Sequence, residues 1–296
     1  MLGASGSAGQ AITAALSLAS IPAVPSGIAT RAANLSTRKG ADQAVADAAV
    51  VYMAAQPPYH RWPEQFPVML ERVIDATAAI DAKLVMVDNA YGYGPGSSPM
   101  RESTPERATD RKGAARTTMR TMLLEAHRSG RLRVAIGRSS DYFGPGADNS
   151  AITALAITPV AKAGAALKWM GSLDQPHSVA YLPDIGRAYV TLGTDDRSDG
   201  AIWHLPHPPA GTGRELLKLV NNALDEDREM SVISPNMLRI AAPFHRASRE
   251  SLPIAYQWTA PFVLDDSLFD NTFGDFDRTS LAHAISETVR ALRAAG

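Results

Sequence analysis

Apolar and polar positions follow two rhythms along the chain. Val50-Val51-Tyr52-Met53-Ala54, Lys83 to Val87 and Leu132 to Ile136 are short apolar runs bounded by turn residues, the pattern of strands buried in a parallel sheet. Between them the period lengthens. Glu64 to Ala79 sets Phe66, Leu70, Val73, Ile74 and Thr77 along one side of a helix, and Glu106 to His127 predicts a long helix closed by Gly130. Ahead of these lie a helix from Ala8 to Leu18, ended by Pro22 and Pro25, a short strand from Ile28 to Ala33 and a helix from Ala41 to Asp47. Pro57-Pro58 forces a loop, and Asp88 to Ser98 is a glycine-rich one. The alternation predicts an α/β fold with a parallel sheet and right-handed crossovers.

The second half is less regular. Helices are expected at Ala151 to Ala163, Asp184 to Leu192, Thr212 to Leu224, Pro235 to Ala242, Ala247 to Trp258 and Thr279 to Leu292, with strands at Val179 to Leu182 and Ala201 to Leu205. Thr212 suits an N-cap. No internal repeat or low-complexity segment interrupts the pattern.

Composition narrows the classes. A chain of 296 residues makes one large or two modest domains. The net charge of −1 gives no reason to expect a nucleic acid or an anionic membrane as partner. The absence of cysteine excludes disulfides, thiolate metal sites and cysteine nucleophiles, and agrees with a cytoplasmic location. No membrane span is expected, because no run of about twenty apolar residues occurs. His204 and His207 have metal-like spacing, but Pro206 and Pro208 place them in a loop without companions, so no metal is expected. Asp265-Asp266 would alternate faces, no G-x-S-x-G elbow exists, and Trp169, Trp203 and Trp258 read as core or pocket wall.

The candidate chemistry begins at the front. Gly3-Ala4-Ser5-Gly6-Ser7-Ala8-Gly9 opens the first helix with glycines three apart. Such a turn lets the backbone approach a pyrophosphate, and the helix N-terminus offers it free N–H groups. A small-residue flexible tail is the competing reading. Only Met1 and Leu2 precede Gly3, where a buried strand belongs; this predicts either a natural start further upstream or a degenerate first strand.

Further motifs follow in order: Tyr52-Met53-Ala54-Ala55-Gln56, Asn89-Ala90-Tyr91-Gly92-Tyr93-Gly94, Glu102 with Pro105, Arg138-Ser139-Ser140-Asp141-Tyr142-Phe143-Gly144-Pro145-Gly146, and Tyr181-Leu182-Pro183-Asp184-Ile185-Gly186-Arg187-Ala188. With the glycines, they resemble the NAD-dependent epimerase/dehydratase branch of the extended short-chain dehydrogenase/reductase superfamily. The resemblance implies a Rossmann-like, doubly wound parallel sheet formed by residues 1–146 and completed by 177–205. Residues 147–176 and 206–296 would form a substrate-side region. It further implies an NAD(P) cofactor bound by Gly3, Ser5, Gly6, Ser7, Ala8 and Gly9, by Asn34 and Leu35 at the adenine, and by Ala54, Ala55 and Gln56. The implied partner is a small carbonyl, hydroxyl or nucleotide-sugar substrate, contacted by Tyr91, Arg138, Asp141, Tyr142 and His177. A homodimer formed through the long helix and its neighbour is also implied.

The chain departs from that family where the chemistry is done. The family's catalytic serine, tyrosine and lysine fall here on Asn89, Lys112 and Arg116. Two readings of Lys112 stand: a general base whose pKa is depressed by Arg116 and burial, or a cation on a solvated helix face beside Arg107, Arg111 and Arg120. Arg116 suits a ribose or phosphate contact. No acidic residue lies about twenty positions past the glycines, where a ribose 2′-hydroxyl partner belongs, and Arg31 could meet a 2′-phosphate, a lean toward NADP; a surface role for Arg31 is the alternative. The expected activity is that of an NAD(P)-dependent oxidoreductase or epimerase. The alternative is a catalytically inactive NAD(P)-binding sensor.

Overall fold

The computed structural model describes residues 1–25, 34–147, 150–157 and 165–295. Its helices and strands in chain order are α1 (Ser7–Leu18), α2 (Arg38–Val45), β1 (Val50–Met53), α3 (Trp62–Ala79), β2 (Lys83–Asn89), α4 (Arg111–Arg128), β3 (Arg133–Ser139), β4 (Asp141–Phe143), β5 (Leu167–Met170), β6 (Pro176–His177), β7 (Val179–Tyr181), α5 (Leu182–Thr194), β8 (Ala201–His204), β9 (Gly211–Thr212), α6 (Gly213–Leu224), β10 (Met230–Ile233), α7 (Pro235–Ala241), α8 (Arg246–Ser251), α9 (Ser267–Phe273) and α10 (Leu281–Ala295).

β1, β2, β3 and β8 lie side by side in that order, all parallel, with Val51 opposite Leu84 and Leu84 opposite Val134. Leu2 adds a rung on the outer side of β1: its N–H donates to the Tyr52 carbonyl at 2.9 Å and its carbonyl accepts from Ala54 N–H at 3.0 Å. The strand expected ahead of the glycines is thus present as this single bridge. Successive side chains enter opposite layers, which is why these runs are apolar throughout rather than alternating. Val51, Met53, Leu84, Met86, Val134 and Ile136 meet α3 and α4 through Phe66, Leu70, Met119 and Leu123. Tyr52, Val85 and Ala135 meet α1 and α5 through Ile12, Leu16, Ile185 and Leu192. The sheet is therefore doubly wound and Rossmann-like. A separate core joins β5, α6 and α10 through Leu167, Trp169, Leu217, Val220, Ile285 and Val289.

Several elements differ from expectation. The long helix starts at Arg111 rather than Glu106. Asp110 caps it, its carboxylate accepting from the N–H groups of Lys112 and Gly113 at 3.0 Å each, and Glu106 is drawn into a buried ion network. The helix expected at 247–258 divides into α8 and a 3-10 turn, Leu252–Trp258, which has Pro253 in its first turn. β4, β5, β6, β9 and β10 have no counterpart in the sequence pattern; they are two to four residues long and carry little periodic signal. The expected strand Ile28 to Ala33, Arg31 within it, and part of the helix expected at 151–163 lie outside the described residues. Among the described residues, no helix is long and apolar enough to cross a membrane.

His204 ends β8 instead of lying in a loop, and its side chain is buried. Its Nδ1 is 2.8 Å from the Asp265 carbonyl oxygen and so carries the proton, leaving Nε2 to accept from the Tyr93 hydroxyl at 2.5 Å. Burial first, then the Arg138 charge, push His204 down from 6.5 to about 3. The folded protein therefore keeps His204 neutral where the unfolded chain takes up a proton. Stability is expected to fall as pH drops from about 6.5 toward 3, by up to about 1.4 kcal/mol per pH unit from this group. Urea unfolding at stepped pH should show that slope, and His204→Gln should flatten it.

Candidate functional site

The front glycines build one end of a cavity. Gly3 has φ +79°, and a Cβ on it would collide with the Ala55 backbone nitrogen; a Cβ on Gly9 would collide with the Gly3 carbonyl oxygen. Both glycines let the turn sit against the end of β1 and the start of α1. Gly6 is different. Its φ of −80° and ψ of 161° suit any residue, and a Cβ would meet only the Gly3 carbonyl oxygen at 3.5 Å. The space beyond is the cavity, which Gly6, Ser7, Ala8 and Gly9 line. No side chain caps α1 and no acid stands in its first turn, so its leading N–H groups and positive dipole end are uncompensated at the cavity wall.

The cavity holds about 530 Å³ and runs over the C-terminal ends of β1, β2 and β3 to the Leu252–Trp258 turn. This is where open parallel sheets take ligands. Ala54, Ala55 and Gln56 follow β1, Asn89 ends β2 and Tyr91 follows it, and Asp141 and Tyr142 follow β3; all seven line it, as does Arg116 from α4. The Asn89 side-chain oxygen accepts from Tyr91 N–H at 3.2 Å. The Tyr59 hydroxyl donates to that of Tyr91 across 3.4 Å. Burial pushes Tyr59 up to about 12 and Tyr91 well above its usual value, so both stay protonated near neutral pH and serve as donors.

Lys112 and Arg116 are both buried, at 6% and 5% exposure, so the solvated-face reading does not hold. The Lys112 ammonium sits 3.9 Å over the Tyr59 ring and donates to the Glu250 carboxylate and, at 3.0 Å, to the Glu250 carbonyl. It ties α4 to α8 and is not among the cavity walls. Arg116 lies 4.3 Å over Trp62, with one nitrogen 3.2 Å from the Val87 carbonyl oxygen and 3.4 Å from Asp88; its Nε has no partner. Burial lowers its pKa, and Asp88 partly offsets this.

Arg138 is placed beneath the cavity rather than in its wall. It is fully buried, its Nε donating to Asp88 at 2.9 Å and Nη2 to Glu106 at 2.8 Å. Burial alone would lower its pKa, but Asp88 and Glu106 raise it above the usual arginine value. His177 stands behind the wall, with Nε2 2.9 Å from Asp141 Oδ2. Asn34 forms a turn ahead of α2, accepting from Ser36 N–H at 3.0 Å, and Leu35 joins the α3-side core. The Ser5 carbonyl accepts from the Gln10 side chain at 2.9 Å. Gly3, Ser5, Asn34 and Leu35 are not cavity walls.

Tyr59, Ser139 and Ser140 line the cavity although the sequence pattern does not single them out, and Trp258 joins them as a pocket wall. Ser140 Oγ is buried and unpartnered. Its place inside the Arg138 motif is a signal that could have found it; Tyr59, beyond a double proline, offers none. Among the described residues, no group of three or more His, Asp or Glu could hold a metal ion.

The chain matches the model of the NAD dependent epimerase/dehydratase family over residues 1–204. No curated protein matches it in sequence. Among solved structures, RMD from Pseudomonas aeruginosa complexed with NADPH is 15% identical, with 99% of this chain and 98% of that one covered and a TM-score of 0.78. UDP-glucose 4-epimerase with UDP-glucose from Thermotoga maritima is 14% identical, covered over 99% and 98%, with a TM-score of 0.80. The Thermus thermophilus UDP-glucose 4-epimerase complex with NAD is 17% identical, covered over 100% and 98%, with a TM-score of 0.74. At such identities the likeness speaks for the fold, whereas the family match spans more than two thirds of the sequence. Taken with the glycine turn, the doubly wound sheet and the cavity at its C-terminal edge, the match means that this chain belongs to the NAD-dependent epimerase/dehydratase family.

Proposed function

We propose that the protein is an NAD(P)-dependent oxidoreductase of the epimerase/dehydratase type acting on a small carbonyl or hydroxyl substrate. The carrying observation is the Gly6 cradle: open backbone and uncapped N–H groups at the wall of a cavity large enough for organic ligands. A cofactor fits that donor set. Ser7, Ala8 and Gly9 would hold the pyrophosphate through their backbone N–H groups beside the open face of Gly6, Ala54, Ala55 and Gln56 would flank it, and Arg116 would face a ribose. When bound, its nicotinamide gives or takes a hydride. Asn89, Tyr91, Asp141 and Tyr142 would meet the substrate, with the Tyr91 hydroxyl donating to its oxygen. Residues 1–146 with 177–205 would form the cofactor domain, and 147–176 with 206–296 the substrate side. A cytoplasmic homodimer belongs to the same reading.

An NAD(P)-binding sensor without turnover is the second reading, favoured by one observation: the Lys112 ammonium is engaged by Glu250 rather than free in the cavity. Titration of the full chain with NADPH and NADH, followed by protein fluorescence and thermal shift, tests both at their root. We expect a dissociation constant in the micromolar range, worth about 8 kcal/mol at 1 μM. Absence of any shift with either nucleotide at millimolar concentration would overturn the proposal. The lean to NADPH rests on the missing acidic residue past the glycines and on Arg31, which lies outside the described residues, so the two titrations also decide preference.

A further inference from the structure

We propose that Asp141 and His177 form the proton-handling pair of this cavity, and that the substrate they serve is an uncharged carbonyl or alcohol compound rather than a nucleotide diphosphate. The proposal rests on the NAD(P) reading above. His177 Nδ1 lies 3.2 Å from the Gln257 carbonyl oxygen and Nε2 lies 2.9 Å from Asp141 Oδ2. Both neighbours are acceptors. Both contacts are hydrogen bonds only when the pair holds two protons, one on Nδ1 and one between Nε2 and Oδ2. A neutral imidazole beside an ionised carboxylate holds one.

The surroundings hold the ring in this place. The imidazole is stacked between Trp258, with ring centroids 4.4 Å apart, and Phe262, 5.1 Å apart, and meets the edge of Trp169. Two aromatic faces against one ring fix its plane and keep Nε2 on the Asp141 carboxylate. Asp141 joins the buried histidine to the cavity, being a wall residue with 24% of its side chain exposed.

The same wall indicates the substrate's charge. Tyr59, Tyr91 and Tyr142 all face the Asp141 charge, which adds to burial in disfavouring their ionisation. Arg116 also acts on Tyr91 and Tyr142; its Nη1 is held by Asp88 and the Val87 carbonyl, and its unpartnered Nε is the part left for the ribose. Among the described residues, the charged walls are Asp88, Asp141 and Arg116. Among the described residues a diphosphate would find Arg116 as the one cationic wall, with Asp88 beside it and Asp141 as a second carboxylate, whereas an uncharged compound buries its apolar surface against Trp258 and Phe262 and presents one oxygen to Asp141.

The chemistry balances as a carbonyl reduction. The substrate oxygen gains an O–H bond as the pair gives up its shared proton. The substrate carbon gains the hydride lost by a reduced nicotinamide, which is thereby oxidised, and the pair recovers its proton from water. Alcohol oxidation is the reverse.

Two measurements decide it. In free protein with 15N-labelled histidine at neutral pH, both His177 nitrogens should be protonated. Asp141→Asn, which can still accept from Nε2, should leave one. With NADPH and benzaldehyde or cyclohexanone as probes, Asp141→Asn should lower kcat about 100-fold or more, with the NADPH dissociation constant unchanged within about twofold, and UDP should not compete with the probes. A singly protonated His177 in the wild type would overturn the pair. So would an Asp141→Asn protein retaining a third of wild-type turnover. Competition by UDP, or NADPH binding with no turnover of either probe, would overturn the substrate class. Failure of the NAD(P) reading would instead show as no NADPH binding, whatever the histidine signals report.

Discussion

Arg138→Met is expected to destabilise the protein by about 3–5 kcal/mol, the usual cost of removing one partner from a buried ion network. Thermal melting should fall by roughly 10 °C. Arg138 lies wholly inside the molecule, and its guanidinium satisfies Asp88 and Glu106, themselves nearly buried. It also lies 4.6 Å over the Tyr93 ring. Methionine fills similar volume but leaves two carboxylates short of a partner in a medium of low dielectric, with Arg116 and Arg120 as the cations still near them. Arg138→Lys keeps the charge without the fork and should lose less. A melt within about 1 °C of wild type for Arg138→Met would show the network to be dispensable. A role in substrate contact predicts the opposite pattern: a stable protein with weakened substrate binding.

Gly6→Val should abolish NADPH binding, by about 100-fold or more, in a protein that melts as the wild type does, whereas Gly9→Val should lose the fold together with binding. The two glycines belong to one motif, yet their surroundings separate them. At Gly6 the backbone is already extended and the nearest obstacle to a Cβ is 3.5 Å away, so added methyls project into the cavity and displace only a ligand. At Gly9 the Cβ would run into the Gly3 carbonyl, which is backbone and cannot rotate aside, so α1 must move off the glycine turn. Circular dichroism melts and NADPH fluorescence titrations of the two variants give the comparison. Retained binding in Gly6→Val would remove the cradle from the cofactor reading.

Local pattern was enough for the frame of this protein. Apolar runs at β1, β2 and β3 and 3.6-residue periodicity in α1 and α3 specify buried strands and half-buried helices, because each element must hide the face its own sequence makes apolar. The order of glycine turn, strand-end motifs and the Arg138 segment pointed to the family, since a backbone that must bend at Gly3 and pack at Gly9 tolerates few residues there. The roles of individual side chains were another matter. Arg138 belongs to a motif that implied substrate contact, but distance and burial put it in an ion network with Asp88, which is 50 positions away. Lys112 stands at a catalytic position by count, and Glu250, 138 positions away, takes its ammonium. Asp141 meets His177 across 36 positions, and Trp258 stacks on that ring from further still. Such pairings leave no periodic trace. They arise only when separate elements are brought together, and a buried charge then takes whichever partner the packing sets within reach, because leaving it unpaired costs more than any local preference can offset.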